Sequence, residues 1–267
     1  MDGFAPFGLT HLLAVCGCAA VLAAIAMLAR RPQSKEGEWR ARRALAHFAL
    51  LYWIAYNTWW NWNGVDLITG LPLQACDVSG LIAPFALLTL NRWLRAILYF
   101  WAFAFATQAF IQPTLTEGPA HVVFWAFWIA HVAILGCAVY DIAVLGFRPD
   151  WRDFARAALA SVVWAVIVLP VDLMLGANYG YIGNPPAGIP IPPLVEAFGP
   201  WPQRLAAMTA LAVFVFWLLL APWLWLRRRG GAALPGAAWP VSTTGCRAGE
   251  GRDTPAAKMY DPMQTRS

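Results

Sequence analysis

The stretch Leu71 to Gly80, LPLQACDVSG, places Gln74, Cys76, Asp77 and Ser79 at the opening of an apolar run. Ionisable and amide groups are expensive inside a bilayer, so where a chain keeps them they mark a site by default. A thiol attacks as its thiolate, so a nucleophilic Cys76 needs a base close by. His131, in the run GPAHVVFWAFWIAHV, is the histidine at a compatible depth. With about 100° of turn per residue, His121, Phe124, Trp128 and His131 share one helical stripe, so both histidines can face one cavity at different depths. Asp77 is the acidic residue of its segment, suited to orienting a histidine or to accepting a hydrogen bond in an outer pocket. A plainer reading stands beside this one. Cys76, Gly80 and Ala83 also make a small-residue packing stripe, and a buried imidazole can be satisfied by any neighbouring carbonyl or hydroxyl.

The elements that must position these groups are membrane helices. Of the 267 residues 60% are hydrophobic and 12% charged, far from the composition of a soluble domain. The net charge of +5 reports topology before it reports an anionic partner, and nucleic acid is excluded as a partner class. Five cysteines, Cys16, Cys18, Cys76, Cys137 and Cys246, form no CxxC pair and no zinc spacing with histidine. No metal site, organic cofactor or disulfide framework is implied. Cys16, Cys18 and Cys137 read as small buried hydrophobes, and Cys16 and Cys18, two apart, point in different directions on a helix.

Apolar runs long enough to cross a bilayer, roughly 20 residues each, begin near Leu9, Ala44, Leu71, Ala96, Val122, Ala155 and Leu205. They predict an all-α, polytopic bundle of seven transmembrane helices. The first, Leu9 to Ala29, follows Asp2 and precedes Arg30 and Arg31, the reverse of a signal peptide's charge layout. Of the 19 Lys and Arg residues, all but Arg204 fall on alternate loops or the tail. The positive-inside rule then puts the N-terminus outside and the C-terminus in the cytoplasm. Residues 1–229 read as the transmembrane domain, and the Gly- and Pro-rich 230–267 as a disordered cytoplasmic tail. Pro72 suits the first helical position of helix three, which would set Cys76 about a turn and a half inside, and Pro84, Pro170 and Pro222 fall inside helices three, six and seven. The outer segment from about Ala177 to Arg204 is too long for a plain connection. It reads equally as a lid over the outer face or as an irregular loop anchored by tryptophan.

On this topology the polar groups gather in the outer half: Asn57, Asn61 and Asn63 end helix two, Gln74, Cys76 and Asp77 open helix three, Gln108 and Gln112 end helix four, His121 and His131 lie on helix five, and Asp172, Asn178 and Tyr179 end helix six. A hydrated pocket opening outward accounts for that polarisation; amides joining helix ends are the alternative.

Four blocks, LPLQACDVSG, TQAFIQPTL, GPAHVVFWAFWIAHV and LGANYGYIGNPP, together resemble the YwaF-type integral membrane proteins of bacteria, to which vertebrate transmembrane protein 164 is a distant relative. The resemblance covers roughly Phe7 to Leu226. It implies a multi-pass protein of the cell (inner or plasma) membrane. Through the vertebrate relative it implies lysophospholipid acyl transfer by a Cys and a His, at Cys76 and His131 here, with His121 the second choice for the base. The family often carries His two residues before the Cys. Gln74 stands there in this chain and cannot accept a proton. In the mechanism so implied His131 deprotonates Cys76, the thiolate takes an acyl group from a phospholipid, and the thioester passes it to a lysophospholipid hydroxyl. Gln108, Gln112 and Asn178 are candidate oxyanion donors, with His121, Asp77 and Tyr179 also lining the substrate site. Membrane lipids are the partners, and no protein partner is known. A small-solute sensor or permease is the competing function; a Schiff-base photoreceptor is excluded, since Lys35 and Lys258 both lie outside the helices.

Overall fold

The computed structural model describes residues 3–29, 34–186 and 191–229, and the tail expected over 230–267 lies outside them. Among the described residues all regular structure is helical. Seven long helices follow the apolar runs in order: α1 (Leu9–Ala29), α2 (Lys35–Trp60), α3 (Ala75–Thr89), α4 (Arg92–Ile111), α5 (Val122–Ala143), α6 (Trp151–Leu175) and α7 (Gln203–Arg229). Five of them, α1, α4, α5, α6 and α7, are long and apolar enough to cross a membrane. The first turns of α2 are charged: Ser34 caps them by accepting from Gly37 N–H, and Glu36 and Glu38 pair with Arg40 and Arg42 one turn on. Helix α3 has 15 residues, about 22 Å of rise against a hydrocarbon core of about 30 Å.

The start of α3 corrects the expectation that Pro72 takes the first helical position. Leu73 N–H donates to Leu71 O (2.8 Å), so Pro72 serves a tight turn and the helix begins at Ala75 behind Gln74. Cys76 is therefore the second helical residue. It lies in the turn whose N–H groups have no intrahelical acceptor and where the helix dipole is felt most.

Packing centres on α3, which lies against α2, α4 and α5; α1 packs on α5 and α6 on α4. The contact surfaces are small: Ala46 and Ala49 of α2, Ala83 and Ala86 of α3, Ala102 and Ala106 of α4, and Ala133, Cys137 and Ala138 of α5 are all buried in one cluster. Small side chains let helix backbones approach closely where lipid supplies no hydrophobic drive between helices. Cys137 and Cys18 are buried as expected, whereas Cys16 is exposed on the other face of α1. Pro84, Pro170 and Pro222 all lie within their helices. Helix α4 is interrupted by a π-helical turn, Ala102–Ala106. The carbonyls loosened there are met by side chains, Thr107 Oγ1 donating to Phe103 O (2.7 Å) and Gln108 Nε2 to Ala104 O (3.3 Å).

At the end of the bundle where α4 and α6 begin and α5 stops, buried charge is paired. Arg95 Nε donates to both Asp141 carboxylate oxygens (2.9 and 3.1 Å), and Asp153, itself in a capping box with Asp150, takes Arg92 and Arg156. Arg92 and Arg95 also stack on Phe147. Helix α7 is held far more sparsely, touching α6 and the π turn.

Candidate functional site

A cavity of about 750 Å³ occupies the opposite end, walled by α3, the π turn and end of α4, α5, and the facing sides of α6 and α7. Cys76, Asp77 and Gln74 enter it from the start of α3, His131 and Phe127 from α5, and Gln108 and Gln112 from the end of α4. A second, narrow space of about 70 Å³ lies toward α2 between Tyr52, Trp53, Gly80 and Ala130. Five residues line both: Tyr56, Cys76, Asp77, Phe127 and His131. The thiol and the imidazole are thus brought to one partition, open to space on two sides.

The tautomer of His131 follows from its partner. Its Nδ1 lies 2.7 Å from Phe127 O, one turn back on the same helix. A carbonyl only accepts, so Nδ1 carries the hydrogen and Nε2 carries the lone pair. Among the described residues Nε2 has no hydrogen-bond partner, which leaves it the site's available base. Phe127 and Phe110 flank the ring. The carbonyl of Phe127 thereby fills the orienting role expected of Asp77. Among the described residues Asp77 makes no hydrogen bond to His131; its carboxylate lies near the Gln74 backbone at the start of its own helix. Trp53 Nε1 donates to Asp77 O (2.8 Å) across from α2, and a Cβ on Gly80 would come within 2.8 Å of the same indole. Gly80 is therefore the close-packing position of that contact.

The segment after α6 contributes to the cavity wall: Gly180, Tyr181, Ile182, Leu194, Val195 and Phe198 all line it. It is tied to its surroundings residue by residue. Gly180 N–H donates to Gln74 Oε1 (2.7 Å), Tyr179 Oη donates to Leu67 O and accepts from Leu71 N–H (3.0 Å each), and Leu194 N–H donates to Gln112 Oε1 (3.3 Å). Trp201 Nε1 donates to Ile182 O (3.1 Å), and Arg204 is buried and donates to Gly183 O. This lid segment thus lines the cavity and is anchored by tryptophan. Gly180 has φ 63°, and a Cβ there would meet the Trp164 ring at 2.1 Å, so glycine is needed for both backbone and space.

Not every candidate residue reaches the cavity. His121 is exposed and caps α5, its Nδ1 accepting from Val123 N–H, and is absent from the lining. Asn178 is buried beside the lid but outside the lining, both its amide atoms unpartnered among the described residues, and the Tyr179 hydroxyl is occupied by the Leu67–Leu71 turn. Tyr181, not singled out from the sequence, does reach it, and does so with φ 61°, rare for a non-glycine residue. Burial pushes its phenol above the ordinary value, with Cys76 close enough to add to the effect and the Thr114 side chain opposing it. The π turn is the other feature without a signal in the composition.

Eight cavity-lining residues are exposed: Trp60, Thr69, Thr114 and Leu194 on α2 and the connecting segments, and Val162, Thr209, Leu211 and Val213 on α6 and α7. The cavity therefore has exposed lining both at its end of the bundle and between α6 and α7. A helical bundle with several membrane-length apolar helices around a polar-tipped cavity defines a multi-pass membrane protein. The chain belongs to the TMEM164 family, whose sequence pattern it matches over residues 6–220. Neither the curated proteins nor the solved structures include a match.

Proposed function

We propose that this chain is a lipid acyltransferase of the cell membrane, working by Cys/His acyl transfer on phospholipids. In this reading all seven helices cross the bilayer, with the N-terminus outside and the C-terminus in the cytoplasm, and the bacterial YwaF-type proteins are its nearer kin. The observation that supports the proposal is that Cys76 and His131 line one cavity whose exposed lining includes the apolar Val162, Leu211 and Val213 of α6 and α7. A lipid ester would enter between those helices, whereas the alternative, a small-solute sensor or permease, would use the exposed lining at the end of the bundle.

His131 Nε2 takes the Cys76 proton, and the sulfur attacks the ester carbonyl carbon of a phospholipid. The tetrahedral intermediate collapses with loss of the lysolipid oxygen, which receives the proton from the imidazolium. A lysophospholipid hydroxyl then repeats the steps in reverse and releases Cys76. The first turn of α3 favours the developing anion. Phosphatidylcholine carrying an alkyne-tagged acyl chain should label the wild-type protein through a hydroxylamine-sensitive bond, and Cys76→Ala should remove the label. Labelling that survives Cys76→Ala overturns the covalent step.

A further inference from the structure

The lid segment contributes more than a wall. Tyr181 lines the cavity with Cys76, and its position is fixed by the residue before it: Gly180 N–H is held by Gln74 Oε1 at 2.7 Å, two residues ahead of the nucleophile. Tyr181 N–H is tied back to Asn178 O (3.1 Å), closing a tight turn. Gly180 lies flat on Trp164, whose Nε1 donates to Leu73 O (3.0 Å), so the same indole braces both the lid turn and the approach to α3. Within this frame Tyr181 adopts φ 61°. Left-handed backbone at a bulky residue is costly, and it survives where the surroundings over-determine it, as at functional sites. The Thr114 side chain also lines the cavity and opposes the upward shift of the Tyr181 phenol. Burial keeps the group a neutral hydroxyl at physiological pH.

We propose that Tyr181 is a catalytic residue of the acyl transfer, its hydroxyl donating to the oxyanion formed when Cys76 attacks the ester carbonyl. This rests on the acyltransferase reading. As the sulfur–carbon bond forms, the carbonyl π pair moves onto oxygen, and the Tyr181 O–H donates to that oxygen without transferring its proton. When the pair returns, the carbon–oxygen bond to the lysolipid breaks, and the leaving oxygen takes its proton from His131. Of the amides expected in this role, Gln108 Nε2 donates to Ala104 O, Gln112 lines the cavity and accepts from Leu194 N–H through Oε1, and Asn178 is outside the lining.

The test is single-turnover acylation of the full chain in detergent by alkyne-tagged phosphatidylcholine, comparing wild type, Tyr181→Phe and Cys76→Ala. Tyr181→Phe should slow acylation about 10²–10³-fold at saturating lipid. The lipid concentration giving half-maximal rate and the unfolding temperature should be unchanged, both of which a purely structural tyrosine would move. A rate within about threefold of wild type overturns the proposal and leaves Cys76 chemistry standing. A wild type that takes no label, or a Cys76→Ala protein that still does, overturns the acyltransferase reading and this proposal with it. A ring-fluorinated tyrosine at 181, which keeps the ring and strengthens the donor, should raise the rate at neutral pH; an unchanged rate again overturns the role.

Discussion

The two ends of the bundle handle buried polarity in opposite ways. Where α4 and α6 begin, each buried charge has its counter-charge: Asp141 with Arg95, and Asp153 with Arg92 and Arg156. At the cavity end the buried side-chain atoms of Asn61, Trp128, Asp172, Asn178 and Arg204 include ones with no protein partner among the described residues. An unmet buried polar atom costs about 1–3 kcal/mol unless water or ligand meets it. The paired end is a clamp; the unmet atoms at the other end lie in the shell around the cavity, not in its lining, so that shell carries their cost. The seam in α7 fits this division: Tyr99 Oη donates to Leu219 O and accepts from Trp223 Nε1 near the clamp, while the N-terminal half of α7 lines the cavity.

The sharpest way to break this contrast is to delete a group at the cavity end and look for a cost in stability. His131→Ala should lower the acylation rate about 10²–10⁴-fold, the range for a general base, with the unfolding midpoint almost unmoved. A collapse of the fold would show the imidazole to be a structural member after all. Asp141→Ala should do the reverse. Leaving Arg95 buried without its partner should cost about 3–5 kcal/mol in denaturant titration, while the acylation rate per folded molecule stays at the wild-type level. Gly180→Ala sharpens the comparison from the lid. Its Cβ meets the Trp164 ring and its φ is left-handed, so about 1–3 kcal/mol should appear as local opening, read as faster proteolysis between 177 and 202 without loss of global stability. The smallest effect is expected from Tyr99→Phe, about 1 kcal/mol for the hydrogen bonds lost to α7, measured by thermal unfolding in detergent.

The amino-acid order made the helices readable because each is a long apolar run with a clear edge. Leu9–Ala29 and the start of α5 at Val122 fall where hydropathy puts them. The error at α3 came from Pro72, which suits a first helical turn and a tight turn equally well; Leu73 N–H bonding to Leu71 O decided between them. Cys76, Gln74, Asp77, Gln108, Gln112 and His131 were gathered into one cavity by depth alone, because depth is a one-dimensional property that sequence records. Azimuth is not. His121 shares the stripe of His131 yet stops at the helix cap, and Asp77 adjoins Cys76 yet makes no hydrogen bond to His131 among the described residues. Tyr181 could be found only through its backbone angle and through a lid whose ties run more than 100 residues back along the chain, from Gly180 to Gln74.

The hydrogen bond from His131 to Phe127 joins two residues of a single helical turn. Its geometry travels with α5 as a rigid body, so the ring's tautomer and heading do not depend on the segment after α6 or on α7. The cavity wall and the unpartnered imidazole nitrogen are mechanically decoupled: side chains of α7 can change the width of the cavity without turning the ring.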